Sequence, residues 1–93
     1  MSVSLDTVVV LSADALSSNV DGDVAILSLS AGQYFGLSGV GAFTWEHLRD
    51  PQRVSEVRDL ILQQYEVSPA LCEEDLLRLL TELESEGLIQ VVS

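Results

Sequence analysis

Lysine is absent from this chain, and four arginines face fifteen acidic residues, for a formal net charge of −11 over 93 residues. Nucleic-acid binding at physiological salt rests on neutralising phosphates with Lys and Arg, so a phosphate backbone is repelled unless the four arginines gather on one face. Anionic membrane surfaces are disfavoured for the same reason. A basic partner, or a peptide with a basic segment, is electrostatically welcome, although acidity alone also serves solubility. Cysteine is nearly absent. Cys72 by itself closes no disulfide within the chain and offers no metal cluster, and a lone thiol commonly packs as a small hydrophobe. No apolar run approaches the roughly 20 residues that span a bilayer, and the opening Met1-Ser2-Val3-Ser4-Leu5-Asp6 lacks the basic residues of a signal peptide. The expectation is a cytoplasmic protein. Phosphate loops are missing too: Gly36, Gly39 and Gly41 cluster without the GxGxxG or GxxxxGK[ST] spacing.

What is present is apolar: 47% hydrophobic residues and a mean hydropathy of +0.32, far from a disordered composition. The length suits one domain, residues 1–93, with a modest core and no room for a deep, enclosed active site.

Three stretches read as strands. Val8-Val9-Val10-Leu11 is a β-branched run, and Val24-Ala25-Ile26-Leu27-Ser28-Leu29 follows the turn chemistry of Ser17 to Asp23, with Asp21-Gly22 a hairpin signal. After Ser30-Ala31-Gly32 comes Gln33-Tyr34-Phe35-Gly36-Leu37. Short connections imply an antiparallel meander of these three. Ser38 is a good N-cap for a helix running to about Arg49, stopped by Asp50-Pro51. Its Val40, Phe43, Thr44 and Leu48 form a buried face with Trp45 at the margin. A second helix spans about Val54 to Tyr65, with Val54, Val57, Ile61 and Tyr65 at helical spacing. Ser68-Pro69 opens a third, about Ala70 to Glu86, which Gly87 ends. On it Cys72, Leu76, Leu77, Leu79, Leu80 and Leu83 cover an arc of roughly 160°, wider than docking on one neighbour requires. Asp75, Glu82 and Glu86 border the arc beside Leu79. Leu88 to Val92 is a short extended tail. Strands first and helices after give an α+β domain of winged helix-turn-helix-like order: a three-stranded antiparallel sheet followed by three helices.

Catalytic chemistry is scarce. His47, the sole histidine, falls in the last turn of its helix, where a cation meets the dipole, which favours a surface or capping role over general-base work. Nothing pairs it with Cys72, and no third group orients such a pair. Glu73-Glu74 reads as a solvated face, and no His/Cys/Asp spacing matches a metal site. Interaction is what remains. Tyr34 and Phe35 point to opposite faces of their strand: either both are core, or one faces the helices and the other a ligand. A strand at the junction of sheet and helices can keep a free edge, and a free edge accepts an extended peptide.

The series Asp23-Val24-Ala25-Ile26-Leu27, Gly32-Gln33-Tyr34-Phe35-Gly36-Leu37-Ser38-Gly39-Val40-Gly41-Ala42 and Trp45-Glu46-His47-Leu48 resembles the PqqD-like family. Val54-Ser55-Glu56-Val57 and the run from Asp75 to Ile89 continue the resemblance, which covers the chain from about Val8 onward. Ser38 stands where members commonly carry Asn, and both cap helices well. The resemblance implies a recognition element for ribosomally made, post-translationally modified peptides. Such a domain takes up a leader peptide as an added strand, between the third strand and the third helix, and hands it to a separate leader peptidase or maturation enzyme. Carried onto this sequence, Gln33, Tyr34, Phe35, Gly36 and Leu37 supply the strand edge. Cys72, Asp75, Leu76, Leu79 and Leu83 form the facing wall, with Asp75, Glu82 and Glu86 as an acidic rim. The resemblance implies no catalytic residue, metal or cofactor, and the Gln-Tyr-Phe-Gly-Leu wording is nearer the lasso-peptide members. Three alternatives stand: a precursor chaperone for a radical-SAM enzyme of the PQQ type, a winged-helix transcription regulator, and an enzyme with Cys72 as nucleophile.

Overall fold

A computed structural model describes residues 3–92; Met1 and Ser2, on which the signal-peptide argument partly rests, and Ser93 lie outside the described residues. The chain folds as β1 (Val8–Leu11), β2 (Ala15–Val20), β3 (Asp23–Ser28), β4 (Gln33–Leu37), α1 (Gly39–His47), β5 (Gln52–Arg53), α2 (Val54–Gln64), α3 (Pro69–Ser85) and β6 (Ile89–Val91). The α+β, winged-helix-like order expected from the sequence is observed, with the strands divided between two antiparallel three-stranded sheets. One has the order β2-β3-β4 and the other β5-β1-β6.

That division corrects the expected meander. Its first strand is Ala15–Val20, not Val8–Leu11, and only Asp21-Gly22 of the segment assigned to a turn is a turn. Both turn residues have positive φ, 53° and 86°, the geometry of a two-residue I′ hairpin whose twist matches the flanking strands. β2 was hidden by its composition: Leu16-Ser17-Ser18-Asn19 is mostly polar, and all but two of its residues are exposed. A sheet edge tolerates this because one flank carries no neighbour. β1 instead takes the centre of the other sheet, where Val9 is fully buried between Gln52 and Val91. The C-terminal tail is thereby committed to β1 and leaves β4 alone.

Helix boundaries fall within two residues of the expected ones. Ser68 caps α3, its Oγ accepting from the Leu71 N–H at 3.1 Å. Ser38 occupies the N-cap of α1 without a side-chain bond. After α3, Gly87 turns at φ 76°, and the Leu88 N–H donates to the Leu83 carbonyl at 2.9 Å, closing the helix as a Schellman motif does. The core is one cluster shared by both sheets and the three helices: Val24 and Ile26 of β3, Val9 of β1 and Ile89 of β6 join the buried faces of α1, α2 and α3. Trp45, expected at a margin, is fully buried there, and its Nε1–H donates to Ser17 Oγ of β2 at 3.0 Å. A buried indole needs such a partner, and the partner sits on β2, whose polar sequence resembles a turn.

A sheet edge and an apolar cavity

β4 pairs with β3 along one side only, from Val24↔Leu37 to Ser28↔Gln33. Its register sorts the side chains. Phe35 lies opposite Ile26 and Leu37 opposite Val24, on the core face, where both are half-buried against the core. Tyr34 lies opposite Leu27 on the other face and is 77% exposed. Of the two open readings of the aromatic pair, the structure selects one inward and one outward. Gln33 and Gly36 are exposed.

The turn before β4 is held by Asp14. Its carboxylate accepts from the Ser30 hydroxyl at 2.8 Å, the Ser30 N–H at 3.0 Å and the Ser28 hydroxyl at 3.3 Å. These bonds, Ser30 foremost, hold the carboxyl below its ordinary range. Sequence reasoning missed Asp14, since the partners lie fourteen and sixteen residues away.

Beyond β4 opens a cavity of about 280 Å³ between the helices, lined by Val40, Gly41 and Thr44 of α1, Ile61 of α2, Val67, and Leu71, Cys72, Asp75, Leu76 and Leu79 of α3. Four of the expected wall residues, Cys72, Asp75, Leu76 and Leu79, therefore converge on one space. Leu83 does not line it and belongs to the core. The broad apolar arc of α3 divides accordingly: Cys72, Leu76, Leu80 and Leu83 are buried, while Leu77 and Leu79 stay half-buried on either side. Gly41 joins edge to cavity, because a Cβ there would stand 3.5 Å from Leu37 Cδ2. The α1 contribution was missed although Thr44 was placed on a buried face. Its Oγ1 is buried and has no hydrogen-bond partner among the described residues, a costly arrangement in a folded protein.

Glu82 and Glu86 are exposed, and neither forms an ion pair among the described residues. Asp75 accepts from Arg78 Nη1 at 3.2 Å. Glu73, expected to be simply solvated, accepts from Arg58 Nη1 at 2.7 Å and ties α2 to α3. All four arginines are committed within the molecule: Arg49 to Glu46, Arg53 to the Asp6 carbonyl, Arg58 to Asp59 and Glu73, and Arg78 to Glu74 and Asp75. Carboxylates thus neutralise Arg49, Arg58 and Arg78 locally, which weakens their pull on a phosphate backbone.

Burial pushes the Cys72 thiol up, the reverse of what a nucleophile needs. His47 packs against Phe43 with ring centroids 4.5 Å apart, in a depression shared with Tyr65 and separate from the cavity of Cys72. Among the described residues no group of three or more His, Cys, Asp or Glu could hold a metal ion, and no helix is long and apolar enough to cross a membrane.

Fold and site together define a small winged-helix-like α+β domain whose open sheet edge adjoins an apolar cavity. The family described as "Coenzyme PQQ synthesis protein D (PqqD)" matches residues 23–89, from β3 to the start of β6, and the chain belongs to that family. Among solved structures, "TbiB1 in Complex with the TbiA(beta) Leader Peptide" is similar at 32% identity and a TM-score of 0.84, covering 90% of this chain and 98% of the other. A second, "Lasso peptide synthetase B1 complexed with the leader peptide", shares the fold at 23% identity and a TM-score of 0.78, with coverages of 88% and 96%. No curated protein matches the chain.

Proposed function

We propose that this protein is a non-catalytic adaptor that binds the leader of a ribosomally made precursor peptide. It takes the leader as a strand added to β4 and presents it to a separate leader peptidase or maturation enzyme, in lasso-peptide biosynthesis in the cytoplasm. The observation that carries the reading is the open edge of β4 next to the cavity walled by Cys72, Leu76 and Leu79. The leader peptide in the complex of the 32% identical TbiB1 supports it, and the Gln-Tyr-Phe-Gly-Leu wording favours the lasso branch. β2 is also an edge, yet β4 is the one whose Leu37 abuts the cavity through Gly41. Gln33 to Leu37 supply backbone donors and acceptors, Phe35 and Leu37 the floor, and Asp75, Glu82 and Glu86 a rim for a basic residue of the leader.

Magnitudes agree with a carrier that must also release its cargo. About four ladder hydrogen bonds at ~1 kcal/mol each and two or three apolar anchors at ~1.5–3 each yield a gross gain near 10 kcal/mol. Ordering the leader costs about 2–5 kcal/mol, leaving about 5–8 kcal/mol, a Kd of roughly 1–200 μM.

Titration of the purified protein with the leader segment of its precursor, by fluorescence polarisation, tests this. Leu79→Glu places an unpaired carboxylate against the cavity and raises Kd at least ~30-fold with the circular dichroism spectrum unchanged. His47→Ala leaves Kd within about twofold. Absence of saturable binding to the unaltered protein contradicts the proposal.

A further inference from the structure

The exposed large apolar side chains of this chain fall mainly into two groups. Val40, Val67 and Leu71 stand at the cavity, which the leader would cover. Leu16, Val20 and Tyr34, exposed by 55%, 59% and 77%, stand on the opposite, outer face of the β2-β3-β4 sheet. The register puts Leu16, Leu27 and Tyr34 in one row across the three strands, above a shallow depression of about 210 Å³. An antiparallel sheet with one face on the core ordinarily turns polar residues to water on the other. A contiguous apolar row there marks a contact surface.

We propose that this outer face docks the leader-processing enzyme, through an apolar patch on that enzyme bordered by basic residues. The inference rests on the leader-binding reading above. Charge selects the occupant. Asp23 shares the face, opposite Val20, and Asp21 stands in the turn beside it. No arginine lines the depression, and all four are engaged elsewhere. A partner with basic residues at that end is attracted, while a second copy carrying −11 is repelled. Continuity with the leader site gives the surface its use. A strand added to β4 sets alternate side chains beside Tyr34 and so extends the row by one member. The enzyme then meets adaptor and leader as one surface, and the loaded adaptor binds it better than the empty one.

The test uses the whole protein, the full-length precursor and the leader peptidase that processes that precursor. Leu16→Glu, on the strand farthest from β4, leaves leader Kd within about twofold and slows adaptor-dependent cleavage at least ~10-fold. Leu16→Ser, a milder change that keeps the strand, slows it several-fold. Val92→Glu, an equally exposed position away from both surfaces, cleaves at the unaltered rate. Normal cleavage with both Leu16 variants overturns the inference while leaving leader binding intact. A sedimenting dimer that Leu16→Glu dissolves overturns it as well, by giving the face to a second copy. Failure of the unaltered protein to bind leader sinks the parent reading instead.

Discussion

Cys72 shows how position governs chemistry at the scale of one residue. Its thiol lines the cavity yet is 6% exposed, and burial raises its pKa. A raised thiol pKa means that the unfolded chain loses its proton first, so this group's contribution to stability is present at neutral pH and lost as pH climbs beyond the ordinary thiol range. Alkylation of Cys72 by iodoacetamide at neutral pH is expected to run at least ~10-fold slower than in the urea-unfolded chain, and bound leader slows it further. Labelling that leader does not slow would place the peptide elsewhere. The sequence made the α3 half of this cavity legible, because Cys72, Asp75, Leu76 and Leu79 recur at helical spacing. Val40, Gly41, Thr44 and Val67 were not legible as its other wall. Spacing marks Val40 and Thr44 as part of a buried face of α1, but which helix that face meets is decided by tertiary packing.

At the scale of elements, β4 was readable from its aromatic alternation and from Ser38, whereas β2 was not. A polar edge strand carries no periodic apolar signal; β2 is held by its pairing with β3, and Trp45 reaches its Ser17 from twenty-eight residues away. The same long reach conceals the Asp14 clamp on the β3–β4 turn. Asp14→Ala removes the carboxylate that accepts from three donor groups of Ser28 and Ser30 and is expected to lower the melting temperature and weaken leader binding together, because the turn sets the approach to Gln33. Since the Asp14 carboxyl is held below its ordinary range, the clamp's contribution is complete at neutral pH and is lost only as pH falls through and below the ordinary carboxyl range. The variant should therefore lose the part of the acid-side transition that Asp14 supplies. A melting temperature unchanged by the substitution would show that the turn holds itself.

For the whole molecule, charge and shape decide what it can do. A body of 35 × 31 × 19 Å is thin along one axis and offers two broad faces. With −11 net charge, Arg49, Arg58 and Arg78 in ion pairs and Arg53 on a backbone carbonyl, its field favours the approach of basic segments over that of a phosphate backbone. Leader affinity is expected to fall several-fold between about 0.05 and about 0.5 M salt, as screening shortens the reach of Glu82 and Glu86. A salt-independent Kd would leave the acidic rim without a part in binding. The most direct test of the central claim is amide hydrogen exchange with and without leader, read segment by segment. Strand addition predicts new protection across Gln33 to Leu37 and none across Ala15 to Val20; protection of β2 instead, or of neither edge in the saturated complex, would contradict it.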